Sequence, residues 1–259
     1  GVLSGLFFNI YVNSIFRIQL SGKIWLYCDD MSILNFAPNS QILKEEIEND
    51  LKLISNWLEI HILAPNISKT KYILFHNKMR FETFTEQALN IKFKDITIER
   101  VEVVQILGIK IDETLSFKWH IQAIQSKIIS FTYALKRISY LLSDKTLIML
   151  YYAHVQCHLN YMNFIWAPIT QNLMQSIEIT QRKALRVILK KSWHCSRSEL
   201  YSVKILPVSA LCNVSTCLQI FKISKQLLKN NIQMHTASQF HQHTTRHREN
   251  FVARNIIPS

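Results

Sequence analysis

Glycine and proline are scarce in this sequence, 4 and 5 of 259 residues. That scarcity excludes collagen-like and low-complexity chains, and a 48% hydrophobic composition argues against general disorder. Cysteine is sparse and poorly arranged for chemistry. Cys28, Cys157, Cys195, Cys212 and Cys217 are odd in number, scattered and never spaced C-x-x-C. Neither a disulfide framework nor a zinc site is indicated, and a reducing compartment fits. A long unbroken apolar run is also lacking. Residues 2–20 come nearest, but Asn9, Asn13 and Arg17 interrupt them and no small-residue cleavage site follows. The stretch therefore reads as a buried helix, and neither secretion nor a membrane span is expected. The last shortage is acidic: 18 Asp and Glu against 30 Lys and Arg leave a formal charge of +12. Such a chain attracts polyanions in a salt-dependent way, although charge alone does not separate a nucleic-acid binder from a merely basic protein. Position 1 is Gly, inside an apolar pattern already under way, so the natural start is expected further upstream.

What is present is a change of periodicity along the chain. A helical apolar face covers residues 6–18 and ends at Ser21 and Gly22. Residues 23–28 and 31–36 are β-rich, which predicts a hairpin with Asp29 and Asp30 at its tip. Pro38, Asn39 and Ser40 then open a helix in which Leu43, Ile47, Leu51, Ile54, Trp57 and Leu58 recur at three- and four-residue spacing. Short β-branched and aromatic runs at 72–75, 91–93, 96–98 and 101–111 predict a small, mostly antiparallel sheet region. Beyond residue 118 only helical periodicity is legible, over 120–142, 144–158, 173–189 and 208–228. The expected fold class is α+β, with a mixed first part, 1–115, and an all-α second part, 116–229. No repeat or flexible linker separates them. Residues 230–259 form a basic tail that holds His235, His241, His243 and His247.

The aspartate pair is the constellation that carries chemistry. Phosphoryl transfer to a growing strand uses two hard cations about 4 Å apart, and Mg²⁺ favours carboxylates, phosphates and water. Adjacent side chains on a strand point to opposite faces, so Asp29 and Asp30 can approach one metal pair together only where the chain turns. Taken alone, two aspartates at a turn describe an ordinary acidic tip.

Context changes that weight. Tyr27-Cys28-Asp29-Asp30 between two apolar strands resembles the Tyr/Phe-x-Asp-Asp signature of reverse transcriptases, with Cys28 where that family carries a small residue. Further segments resemble those of non-LTR retrotransposon polymerases in the same order. Residues 2–13 are similar to the helix after the family's Pro-Gln-Gly motif, with Ser4, Gly5 and Ser14 replacing the usual Gly, Pro and Asp. Asn66-Ile67-Ser68-Lys69-Thr70 is similar to the N-x-x-K-T segment, and Leu107-Gly108-Ile109-Lys110-Ile111-Asp112 to the L-G-x-x-x-D primer-grip stretch. Residues 115–121 with Leu135, Lys136 and Arg137 resemble the start of the thumb. Weaker likenesses follow at Tyr161 with Trp166, at 179–186, at 205–207 and at 243–246.

The resemblance implies a partial palm with its primer grip, then a helical thumb and C-terminal helical region. It implies an RNA-directed DNA polymerase that uses two Mg²⁺ ions, an RNA template, a DNA primer and deoxynucleoside triphosphates, in the nucleus or cytoplasm. Asp29 and Asp30 would be the catalytic metal ligands, with Tyr27, Lys69, Leu107 and Gly108 on the substrate side. A third Asp and the Pro-Gln-Gly motif would lie upstream of residue 1, so the isolated 259 residues are expected not to polymerise. The competing reading is a catalytically dead, basic nucleic-acid-binding remnant. Two further features stay open on sequence alone. Arg182, Arg186 and Lys190 recur every four residues and suit either a phosphate-tracking face or a solvated helix face. Trp119, Trp166 and Trp193 suit base stacking or, more simply, a core.

Overall fold

The structure is a computed structural model; it describes residues 3–76, 89–201, 204–225 and 227, and the backbone of 235–236 and 251–252. The chain is mixed α and β, and it divides into two compact units, Gly1–His120 and Ile121–Ser259.

The first unit begins with helix α1 (Ser4–Val12) and a 3₁₀ turn, Asn13–Arg17. The expectation of a buried helix fails here: α1 buries none of its residues, and Leu6, Phe7, Ile10 and Tyr11 are exposed. Its side chains are apolar around most of the circumference, so packing along any single face leaves the others uncovered. Ile15, in the 3₁₀ turn, is the fully buried side chain of this segment. Strands β1 (Lys23–Tyr27) and β2 (Asp30–Leu34) form an antiparallel hairpin. Helix α2 (Ser40–Ile60) follows, capped by the Asn39 side chain, which accepts from the Ile42 N–H at 2.9 Å.

The apolar stripe of α2 packs as its spacing demands. Leu43, Ile47, Leu51 and Leu58 lie against a cluster of Leu89, Ile91, Phe93 and Ile98, while Ile54 and Trp57 are themselves buried. The strands beneath are short two-stranded ladders. β3 (Lys71–Tyr72) pairs in parallel with β6 (Glu99–Arg100). β4 (Lys92–Phe93) pairs with β5 (Ile96–Thr97), and β7 (Val103–Ile106) with β8 (Ile109–Asp112), both antiparallel.

Helix α3 (Lys118–Ile138) leads into the second unit. Helix α4 (Asp144–Tyr151) passes through a π turn, Tyr152–Gln156, into α5 (Cys157–Asn160), so the single helix expected over 144–158 has a wide turn inside it. Then come α6 (Asn163–Trp166), α7 (Gln171–Ile188), α8 (Arg197–Leu200) and α9 (Val208–Ser224). Ile121, Ile128, Leu147, Val155, Leu159, Trp166, Ile177, Leu185 and Leu200 are fully buried in this unit. Gln181 of α7 is also fully buried. Its amide donates to the Tyr151 hydroxyl and the Leu206 carbonyl, both at 2.9 Å, and its oxygen accepts from the Tyr201 hydroxyl at 3.1 Å. Burial pushes the Tyr151 phenol well up, and the Cys212 thiol up to about 11. The expected tail lies outside the described residues except for one two-residue antiparallel pairing, β9 (His235–Thr236) with β10 (Phe251–Val252).

Candidate functional site

The β1–β2 hairpin is closed by a two-residue turn, because Tyr27 faces Asp30 across the ladder. Cys28 takes the first turn position at φ 54°, a left-handed value that primed hairpin turns require and non-glycine residues resist. Asp29 is the second turn residue, and Asp30 is the first residue of β2. The turn thus lies one residue earlier than two strands flanking both aspartates would place it. Both carboxylates are exposed, and among the described residues neither makes an ion pair or a side-chain hydrogen bond. Although the chain has thirty cationic side chains, none of the described ones pairs with either aspartate.

Strand alternation sets what lies beside the pair. Lys23, Trp25 and Tyr27 are exposed while Ile24 and Leu26 are half-buried, so Trp25 and Tyr27 stand on one face of β1. Sequence reading singled out Tyr27 but missed Trp25, which the two-residue period of a strand, counted from Tyr27, would have found.

The base of the hairpin is pinned by another residue that sequence reading missed. Asp50 of α2 is 1% exposed, and its carboxylate accepts from the Ser21 N–H at 2.8 Å, the Gly22 N–H at 2.8 Å and the Asn35 amide at 2.7 Å. These donors lie just before β1 and just after β2, so one carboxylate ties both ends of the hairpin to the helix. Gly22 is needed for the closeness: a Cβ there would stand 2.7 Å from the Asn35 amide nitrogen. The available signal was Asp50's place on the apolar stripe, three residues after Ile47 and four before Ile54, where a buried carboxylate demands donors.

Lys69 lies elsewhere in the unit. It ends a 3₁₀ turn, Ile67–Lys69, that is capped by Asn66, and its ammonium is exposed with no ion pair among the described residues. Neither a hydrogen bond nor an ion pair joins Lys69 to the Asp29–Asp30 tip among the described residues. Leu107 and Gly108 form the two-residue tip between β7 and β8, with φ of 47° and 83°, both on the positive side as a type I′ turn demands.

The end of β8 carries the most densely bonded carboxylate among the described residues of the unit. Asp112 accepts from the Thr114 N–H and hydroxyl at 3.2 and 2.7 Å, the Ser116 N–H and hydroxyl at 3.0 and 3.1 Å, and the Phe117 N–H at 2.7 Å. Burial opposes its charge, but the bonds from Ser116, Thr114 and Phe117 outweigh that and hold the carboxyl below its ordinary range. Beside it, Glu113 takes both Arg100 Nε at 3.1 Å and a terminal Arg100 nitrogen at 2.7 Å, and stands 3.5 Å from His76.

As metal donors, Asp29 and Asp30 fit in kind and fall short in number. Two unpaired carboxylates suit a hard cation, yet among the described residues no three His, Cys, Asp or Glu side chains converge. No helix among the described residues is long and apolar enough to cross a membrane.

The cationic stripe of α7 is occupied internally. Arg182 stands 3.6 Å from Glu178, Arg186 lies 4.7 Å over the Trp193 ring, and Lys190 reaches Asp144 at 3.0 Å and the Leu142 carbonyl at 3.2 Å. Of the three tryptophans weighed for stacking, Trp166 is fully buried with its indole on the Tyr161 carbonyl, and Trp193 covers Arg186; Trp119 is half exposed. No protein-family model, curated protein or solved structure matches this chain.

Proposed function

We propose that this chain is the palm and thumb portion of an RNA-directed DNA polymerase of the non-LTR retrotransposon kind, acting on an RNA template, a DNA primer and deoxynucleoside triphosphates. The observation that carries the reading is the two-residue tip of the β1–β2 hairpin, with Asp29 in the turn, Asp30 opposite Tyr27, and both carboxylates exposed and paired with no cation among the described residues. Asp29 is the principal metal ligand and Asp30 supports it. Bound Mg²⁺ would supply charge neutralisation at the transferring phosphoryl group. Tyr27 offers a ring to the substrate side, and Lys69 offers an ammonium, unspent on any ion pair among the described residues, to the phosphates. The Leu107–Gly108 tip receives the primer end. With two carboxylates at the tip, the isolated chain holds part of a site.

The second reading, a basic nucleic-acid-binding remnant, is favoured by the lack of a third converging carboxylate among the described residues. Mn²⁺ binding to the purified chain, followed by water-proton relaxation, separates the two. The polymerase reading expects a relaxation enhancement that Asp29→Asn with Asp30→Asn removes and Glu45→Gln leaves alone. Equal enhancement in all three proteins would sink it. Primer extension on an RNA template by the purified chain is expected to be absent.

A further inference from the structure

Arg182, Arg186 and Lys190 have partners within the molecule, so the stripe they form is not a surface of unpaired cations. The last two turns of α3, with the 3₁₀ turn Ser139–Leu141 that continues it, carry such a surface. The inner face of α3 is Ile121, Ile124, Ile128 and Leu135, all buried. On the opposite side stand Tyr133, Lys136, Arg137 and Tyr140, at positions i, i+3, i+4 and i+7. Tyr133 is 71% and Tyr140 75% exposed, and both cations between them are exposed. None of the four side chains has a hydrogen bond, ion pair or ring contact among the described residues, unlike Arg182, Arg186 and Lys190.

We infer that this stripe binds single-stranded nucleic acid, the two tyrosine rings stacking on bases and Lys136 and Arg137 taking the phosphates between them. Two exposed rings that bracket two unpaired cations match what a sequence-tolerant single-strand site requires, a flat π surface for bases beside positive charge for the backbone. The rings lie seven residues apart, about 10 Å along the helix. That distance covers roughly three nucleotides at the 3.4 Å per-strand spacing of stacked bases. A groove that read duplex backbone alone would have no use for the two rings. The inference stands on the second unit and does not depend on the metal reading of Asp29 and Asp30.

The test is fluorescence anisotropy of the full chain with labelled oligothymidylate and oligouridylate of about a dozen nucleotides, within the site sizes such surfaces cover, and with a duplex of equal length. Tyr133→Ala and Tyr140→Ala should each weaken single-strand binding about 5-fold or more, while the Phe variants hold near wild type and duplex binding does not change. Lys136→Gln with Arg137→Gln should lower the slope of log K against log salt by about 1.4, roughly 0.7 for each phosphate no longer neutralised. Lys183→Gln, an exposed cation on α7, and Glu45→Gln, on the first unit, serve as controls and should change neither readout appreciably. All of these side chains are at the surface, so thermal melts of the variants should overlay wild type. Single-strand binding insensitive to both Ala variants, a weakening by Lys183→Gln equal to that of the double variant, or no binding by wild type would each overturn the inference.

Discussion

Asp50→Asn tests whether the aspartate tip depends on a carboxylate buried at the far end of its hairpin. The substitution keeps the shape and removes the charge. In one amide orientation Oδ1 still accepts from the Ser21 N–H, but the new NH₂ faces both the Gly22 N–H and the Asn35 amide. Asn35 can turn its carbonyl toward the introduced amide; the Gly22 N–H, fixed to the backbone, is left facing a donor. Hydrogen bonds to a charged group contribute about 1.5–3 kcal/mol each, and an unpaired buried N–H costs about 1–3 kcal/mol. With Asn35 compensating in part, the net destabilisation should be about 3 kcal/mol. At an m-value of roughly 2 kcal/mol/M, the urea midpoint of the first unit falls by about 1.5 M. Trp57, buried in α2, gives a fluorescence signal for that transition. Asn35→Ala, alone and combined with Asp50→Asn, should show a coupling of about 1 kcal/mol or more, since the two side chains share a bond. A midpoint shift under about 0.3 M, or additive single variants, would mean that the carboxylate is not what holds the hairpin.

Asp112 has its carboxyl held below the ordinary value, so the unfolded chain takes up the proton first. Its contribution is complete above about pH 4, the unfolded Asp value, and disappears as pH falls through the folded value. Urea midpoints of wild type should therefore drop more steeply between about pH 5 and pH 2 than those of Asp112→Asn, and parallel curves would contradict this. Gln181→Leu removes the Gln181 bonds to the Tyr151 hydroxyl and the Leu206 carbonyl, and one of the partners of the Tyr201 hydroxyl, which Arg182 also engages. It should cost about 2–4 kcal/mol and lower the Tm by on the order of 10 °C in calorimetry. At Cys28, φ 54° penalises a β-branched replacement, so Cys28→Val should cost about 1–2 kcal/mol in urea denaturation while Cys28→Asn costs little; equal effects would remove the strained turn from the account.

The features that sequence exposed are those set by local spacing. The three- and four-residue period of α2 identified the side chains that pack on or enter the core, because a helix face is fixed by its own residues. The hairpin was legible from two β-rich runs around a turn. Its closing residues were not, since register is settled by which cross-strand pair forms, and Tyr27 opposite Asp30 moves the turn onto Cys28 and Asp29. Pairings between distant segments were equally silent: nothing local announces that β3 runs parallel to β6. The short helices α6 and α8 are too brief to show a period, although Trp166 and Leu200 anchor them in the core. The hidden positions that matter most are polar. Asp50 and Gln181 draw their partners from other segments, so their burial becomes intelligible only once those donors and acceptors are in place, whereas Asp112 is bonded by the loop that follows it, Thr114 to Phe117.

The three positions at which the first segment differs from the motif it resembles are not equivalent, and the structure separates two of them. Ser14 is fully employed. Its oxygen accepts from the Trp57 indole at 3.0 Å and bonds His61 Nε2 at 3.0 Å, while His61 Nδ1 faces the Trp57 carbonyl at 2.9 Å and the ring stacks on Trp57. A carbonyl partner assigns the imidazole proton to Nδ1, so Nε2 accepts and the Ser14 hydroxyl donates. The Tyr11 hydroxyl completes the cluster on the His61 carbonyl. An aspartate at position 14 accepts only and cannot donate to an imidazole nitrogen. A serine hydroxyl, which both donates and accepts, serves an imidazole and an indole at once. At Gly5 nothing lies within 4 Å of where a Cβ would stand, so that residue answers no steric demand of the described chain. The polar contacts of Ser14 and Tyr11 lie where α1 and its 3₁₀ turn meet the end of α2.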